Sequence, residues 1–246
     1  MNKFLLAVAA ILTAVTLAAA ADVQKKDVDI KAPDGVNLKG THTSPGRPGP
    51  AILLLHQCNM DRHAWDGLAS DLANAGFHVL TFDFRGYGES GGGKLTDADA
   101  RRKEQQEKWP GDVDAVYAYL LSQNEVDKSR IAVGGASCGV GQASALASRH
   151  HEIKALMLLS GNASDAAKDY ITKTTSLPVF GAASEDDKAA AAGIKDALGA
   201  SKNLQSALKI YPGTEHGVAM FGKDADLQPM IVTWLRAQLG MKVKAS

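Results

Sequence analysis

Residues 51–55, Ala-Ile-Leu-Leu-Leu, constrain this chain more than any other segment. Five aliphatic residues in succession leave no polar face, so a strand built from them is buried on both sides. Such a strand needs helices above and below it, and the residues that follow supply them. Residues 65–75 carry helical spacing (Trp65, Leu68, Ala69, Leu72) and stop at Gly76, and residues 78–82 form the next apolar run. Residues 112–121 set Val113, Val116, Tyr117 and Leu120 on one face. A strand over 131–134, an alanine-rich helix over 138–150, and strands over 155–159 and 177–180 come next, with a short helix over 164–171 between the last two. A helix over 188–198, a strand over 207–211 and a closing helix over 229–239 complete the series. Strand and helix in strict alternation predict an α/β fold, a doubly wound and mostly parallel sheet. Ahead of it, alternating residues 28–31 and 37–43 flank Pro33-Asp34-Gly35 and predict an antiparallel hairpin. The linker 44–50, with three prolines and two glycines, is expected to be neither helix nor central strand.

The first 21 residues stand apart. Lys3 precedes an apolar stretch over 4–17, and Ala18-Ala19-Ala20-Ala21 offers small residues for cleavage. This is the pattern of a signal peptide, with an uncleaved anchor as the alternative. Residues 22–246 then form one domain, expected to be periplasmic or secreted and to have no stable membrane association after cleavage. An exported location permits a disulfide between Cys58 and Cys138, the chain's two cysteines. With 27 basic and 27 acidic side chains the net charge is zero, which argues against a nucleic-acid partner. No Cys/His spacing calls for a metal, and the glycine run at 91–93 is not followed by the Gly-Lys-Ser/Thr of a phosphate loop. No cofactor is expected, and the sequence leaves the oligomeric state open.

In a doubly wound sheet, ligands bind in the loops past the carboxyl ends of the strands. Just past the strand at 131–134 stands Gly135-Ala136-Ser137-Cys138-Gly139, a G-x-S-x-G string between strand and helix. Small residues two before and two after the serine let strand and helix approach, and Ser137 falls at a helix N-terminus that favours negative charge. An ordinary glycine-rich turn would look the same, so the context decides. A nucleophilic serine needs a base and an acid to orient the base. Of seven histidines, only His216 lies downstream of both the serine and the acid cluster Glu185-Asp186-Asp187. Asp187 is taken as the acid ahead of Asp186 and Glu185, and the 29 residues from Asp187 to His216 hold one helix and one strand.

The segment from His56 to Trp65, then Asp83-x-Arg85-Gly86-x-Gly88-x-Ser90, then the G-x-S-x-G turn, resembles the α/β-hydrolase superfamily over nearly the whole chain after the leader. In size and lack of insertions the chain looks most like its small esterase and dienelactone-hydrolase-like branches. Dienelactone hydrolases proper carry cysteine at the position of Ser137, so that activity is not implied. The family's acid commonly lies three residues after a strand-ending glycine. Ser184 takes that place here, which again points to Asp187. The resemblance implies an oxyanion hole made by the backbone N–H groups of Cys138 and of Cys58, the third residue of His56-Gln57-Cys58. Gln57 replaces the usual glycine, which leaves open whether Gln57 donates instead.

Two amides aimed at one oxygen make Cys58 and Cys138 neighbours, either disulfide-bonded or as two small buried thiols. Arg85 and Asp83 are expected to brace their loop rather than touch substrate. Trp65, Tyr87 and Phe221 are read either as core or as an acyl pocket, and His63 as a surface residue. With only 162–176 between the flanking strands, no cap domain is expected. These readings converge on an exported serine hydrolase acting on small carboxylic esters, with short acyl groups favoured by an open site. A thioesterase or peptidase with the same three residues, and a non-catalytic binding relative, are the alternatives.

Overall fold

The computed structural model describes residues 22–94 and 96–241; the signal peptide expected over residues 1–21 lies outside them. Eight strands form one sheet in the order β1-β2-β4-β3-β5-β6-β7-β8. They are β1 (Gln24–Lys31), β2 (Asn37–Ser44), β3 (Gly49–Leu55), β4 (His78–Phe82), β5 (Val126–Ala136), β6 (Ile153–Leu159), β7 (Val179–Ser184) and β8 (Ala207–Tyr211). The hairpin β1–β2 and the pair β2–β4 are antiparallel, and the remaining pairings are parallel. The helices are α1 (Asp66–Asn74), α2 (Ala98–Glu107), α3 (Trp109–Ser122), α4 (Cys138–Arg149), α5 (Asp165–Lys173), α6 (Lys188–Ala200), α7 (Met220–Lys223) and α8 (Leu227–Gln238).

β3 is buried at every residue, and its side chains alternate between two cores. Leu53 and Leu55 join Val133 and Leu158 under α3, α4 and α6, through Val116, Leu146 and Ile194. Ile52 and Leu54 join Ala132 and Met157 under α1 and α8, through Leu72 and Leu235. Helices therefore cover both faces, which is what a parallel sheet of apolar strands requires. Among the described residues, the segment between β6 and β7 holds α5 alone, and no cap domain is present. No described helix is long and apolar enough to cross a membrane.

The linker expectation needs one correction: β3 begins at Gly49, so Gly49 and Pro50 belong to a central strand. Pro50 is tolerated because the β3–β5 register shifts between Gly49 and Ala51, where a missing N–H breaks no ladder bond. β7 also runs four residues past the expected end at Phe180, through Gly181-Ala182-Ala183-Ser184. The charged segment at 96–108 contains α2, capped by the Asp97 carboxylate accepting from Ala100 N–H, with no buried residue.

Sheet register sets the geometry of the loops above it. Leu55 on β3 pairs with Gly135 on β5, and Ser184 on β7 with Tyr211 on β8. Three residues beyond the first pair stand Cys58 and Cys138. Three and five beyond the second stand Asp187 and His216.

Candidate active site

Ser137 joins β5 to α4 with φ 53° and ψ −119°, a left-handed conformation that L-residues adopt only under constraint. The constraint is visible in the neighbours. A Cβ on Gly135 would run into the Gly139 carbonyl, and one on Gly139 into the Leu55 carbonyl of β3. Ser137 N–H donates to Leu159 O at 2.9 Å, and Ser137 O accepts from Val140 N–H at 2.9 Å, so the turn is tied to β6 and to α4.

Asp187 occupies the N-cap of α6 but makes no capping bond with its side chain. Its Oδ2 instead accepts from His216 Nδ1 at 2.5 Å. The two loops are clamped together by backbone bonds from Glu185 N–H to Tyr211 O (2.7 Å) and from Asp186 N–H to Gly213 O (2.8 Å), which continue the β7–β8 pairing. The Asp186 side chain points away, to Lys188 Nζ at 3.3 Å. Of the three acids, Asp187 is the one that reaches the histidine. Beyond His216, Lys223 Nζ donates to Glu215 Oε2 (2.9 Å) and Pro212 O (3.2 Å), holding the turn before the histidine.

Ser137, Cys138, Asp187 and His216 line one open hollow of about 430 Å³. Gln105 and Gln106 of α2, Gln142 of α4, and Ser160, Gly161 and Asn162 after β6 complete its polar wall. These side chains were not among the residues singled out from the sequence. Glutamine on a helix that buries no residue carries no motif, and Ser160 stands out only in its backbone, at φ 48°. The aromatic residues considered for an acyl pocket do not line this hollow. Trp65 is fully buried beside Phe221, and Tyr87 packs on His56 and Trp109. His63 is exposed and pairs with Asp66.

Cys58 and Cys138 are joined by a disulfide, with their Cα atoms 5.8 Å apart. The Cys138 amide lies in the first turn of α4, where no carbonyl four residues back exists to receive it. The Gln57 side chain is engaged away from the hollow: its Oε1 accepts from Val218 N–H at 3.0 Å and its Nε2 donates to Asn59 Oδ1 at 2.8 Å. Its side-chain amide therefore ties the loop after β3 to the segment after His216. His56 is fully buried, with Nδ1 donating to Gln57 O (2.8 Å) and Nε2 accepting from Phe84 N–H (2.9 Å). Burial pushes its pKa down, consistent with a neutral ring fixing the loop.

Asp83 and Arg85 brace the adjoining loop, as expected. Asp83 accepts from Arg62 N–H (2.7 Å), Arg62 Nη1 (2.5 Å) and Glu89 N–H (2.9 Å). Arg85 donates to both oxygens of Asp112 and of Asp34 at 2.6–2.9 Å. A second hollow of about 450 Å³ lies against this loop, lined by Cys58, Met60, Tyr87, Arg101 and Glu104 among others. Cys58 borders one hollow and Cys138 the other, so the disulfide stands at their boundary.

Comparison with known proteins agrees with this architecture. An uncharacterised protein of Mycobacterium tuberculosis is 35% identical over 125 residues, covering 50% of this chain and 41% of that protein. The alignment thus spans less than half of that relative. Among solved structures, an esterase from Pyrococcus furiosus superposes with a TM-score of 0.69 at 20% identity, covering 88% of this chain and 93% of the other. A dienelactone hydrolase from Anabaena variabilis gives a TM-score of 0.68 at 18% identity, covering 88% and 99%. At these identities the likeness is one of fold. The family described as alpha/beta hydrolase fold matches residues 50–216, which run from the second residue of β3 through His216, and the chain belongs to that family.

Proposed function

We propose that this protein is an exported serine hydrolase that cleaves small carboxylic esters. The observation that carries the reading is the 2.5 Å contact of His216 Nδ1 with Asp187 Oδ2, in the same hollow as Ser137 on its left-handed turn. A histidine held this way presents Nε2 as a base, with its tautomer set by the carboxylate.

Ser137 Oγ attacks the acyl carbon while His216 Nε2 takes the hydroxyl proton. Negative charge collects on the carbonyl oxygen, where the Cys58 and Cys138 amides receive it at the N-terminus of α4. Collapse expels the alcohol, which takes the proton back from His216. Water then enters by the same route, activated by His216, and releases the acid and Ser137. The hollow offers glycine, alanine and side-chain amides rather than a deep apolar cleft, which supports short acyl groups over long chains. The apolar leader sequence and the Cys58–Cys138 disulfide support an oxidising, extracytoplasmic location.

Hydrolysis of p-nitrophenyl acetate, butyrate and octanoate, beside Ser137→Ala, tests the proposal. Expected is turnover falling with chain length and a loss of at least about a thousandfold in the variant with its fold intact. Equal rates in variant and wild type would remove Ser137 as the nucleophile. Absence of both turnover and fluorophosphonate labelling at Ser137 would favour a binding protein.

A further inference from the structure

We propose that the Cys58–Cys138 disulfide sets the spacing of the two oxyanion donors, so that the oxidation state of this one bond governs the rate of acyl transfer at Ser137. The inference rests on the serine-hydrolase reading above and goes beyond it, because it assigns the sulfur atoms a role distinct from that of the amides.

The two donors are held very differently by the rest of the fold. Cys138 is the first residue of the twelve-residue helix α4, locked in place by Gly139 against the end of β3. Cys58 lies outside any helix or strand, in a turn closed by Met60 N–H donating to Gln57 O at 3.0 Å. Among the described residues no carbonyl receives the Cys58 amide. One donor is therefore fixed within regular structure, whereas the other sits in a loop that His56 and Gln57 pin on its N-terminal side, leaving the sulfur bond to set its position against α4. A misplacement of about an ångström in such a donor is enough to lose much of its effect on the transition state.

Sheet register brings the two residues alongside each other, each three positions past the Leu55–Gly135 pair, and the covalent bond removes the remaining freedom. The same bond holds one wall of the site, because Gln105 Nε2 donates to Cys58 Sγ at 3.3 Å and Gln105 O accepts from Gln142 Nε2 at 3.1 Å. The link from α2 to α4 thus passes by the disulfide. Both cysteines are only partly buried and border open hollows, so a small dithiol can reach the sulfurs. Reduction consumes one dithiol per protein. The Sγ–Sγ bond breaks, the protein gains two electrons and two protons as two thiols, and the dithiol closes to its cyclic disulfide.

A disulfide closing a long loop also stabilises the fold, so the experiment must count folded sites. Turnover of p-nitrophenyl acetate is measured at 25 °C for oxidised protein, for protein reduced with dithiothreitol, and for the double variant Cys58→Ser/Cys138→Ser, which keeps both amides. Sites are counted by fluorophosphonate labelling run to completion, and folding is followed by circular dichroism. Expected is a fall in kcat per labelled site of about ten- to a hundredfold on reduction and in the double variant, with KM within about twofold. Oxidised glutathione should restore the reduced wild type and leave the double variant unchanged. Should the double variant not fold, the reversible loss in reduced wild type decides alone. Unchanged kcat per site would overturn the proposal. So would a loss of activity that only tracks the loss of labelled sites, because that is the mark of a purely structural bond. Oxidised protein with no Ser137-dependent turnover would overturn the hydrolase reading and this role together, and it shows before any reductant is added.

Discussion

The Asp187 carboxylate forgoes the helix it caps and takes its hydrogen bond from His216 instead, at 2.5 Å. An aspartate at an N-cap ordinarily accepts from the second or third helical N–H, a bond worth about 1 kcal/mol. Its diversion to the histidine shows that the local propensity at the start of α6 is overridden by a tertiary partner.

Replacement of that carboxylate should therefore affect turnover far more than folding. Asp187→Asn is expected to lower kcat by about a hundred- to ten-thousandfold, since the amide no longer fixes the tautomer of His216. Asp186→Asn should stay within about twofold, because that side chain faces solvent and Lys188. Comparable losses in the two variants would show that the acid works through the charge of the cluster and not through the bond to His216.

Much of this site was legible in the sequence because it follows from strand ends. The aliphatic runs of β3 and β4 and the periodicity of α3 locate the sheet, and G-x-S-x-G after β5 locates Ser137. The unread parts have a common cause, which is that their structure depends on distant partners. Gly181-Ala182-Ala183-Ser184 has little strand propensity and becomes strand because it is sandwiched; a Cβ on Gly181 would run into the Leu198 side chain of α6. α2 buries none of its residues, so no apolar period marks it, and its Gln105 and Gln106 entered the hollow unannounced. Gln57 could be recognised as a departure from the family's glycine. The bond that explains it joins residues 161 positions apart and has no local trace.

That bond supports a second prediction. Gln57→Leu retains the volume but leaves Val218 N–H and the Asn59 side chain without their partner. Orphaning a buried donor costs about 1–3 kcal/mol, so the urea midpoint should fall accordingly. Because Val218 is two residues past His216, kcat should fall by about tenfold as well. A stability loss with unchanged kcat would show that the histidine loop is held by the Lys223–Glu215 side of the turn alone.

The two glycines around the serine make a third test, sharpened by a control. Gly135→Ala pushes a methyl group into the backbone of Gly139, and since neither partner is a movable side chain, β5 and α4 must separate. Expected is a loss of at least about 3 kcal/mol or failure to fold, at the upper end of single-residue effects. Gly199→Ala, in α6 with nothing within 4 Å of the added carbon, should be neutral or stabilising by about 0.5 kcal/mol. Thermal melts of the two variants give the answer directly.

Far from the site, His42 on β2 and His78 on β4 stack with ring centroids 5.4 Å apart, and His42 Nε2 lies 3.3 Å from His78 Nδ1. Burial holds the His42 pKa at about 4, helped by the neighbouring His78 and by Lys26, against an ordinary value of 6.5. Burial also lowers His78, opposed by the Arg47 carbonyl and by Glu125. The unfolded chain takes up these protons near pH 6.5, whereas folded His42 does so only near pH 4. Stability from the pair is thus fully present above about pH 6.5 and is lost as the pH falls from there toward 4, on the order of 3 kcal/mol from His42. Urea unfolding at pH 7.5, 6.0 and 4.5 should show that decline, and the double variant His42→Val/His78→Val should flatten most of it. An equally steep decline in the double variant would place the acid sensitivity outside this histidine pair; Asp34, whose carboxyl the Arg85 hydrogen bond holds well below the usual range, gives up its contribution only below about pH 4 and leaves this window flat.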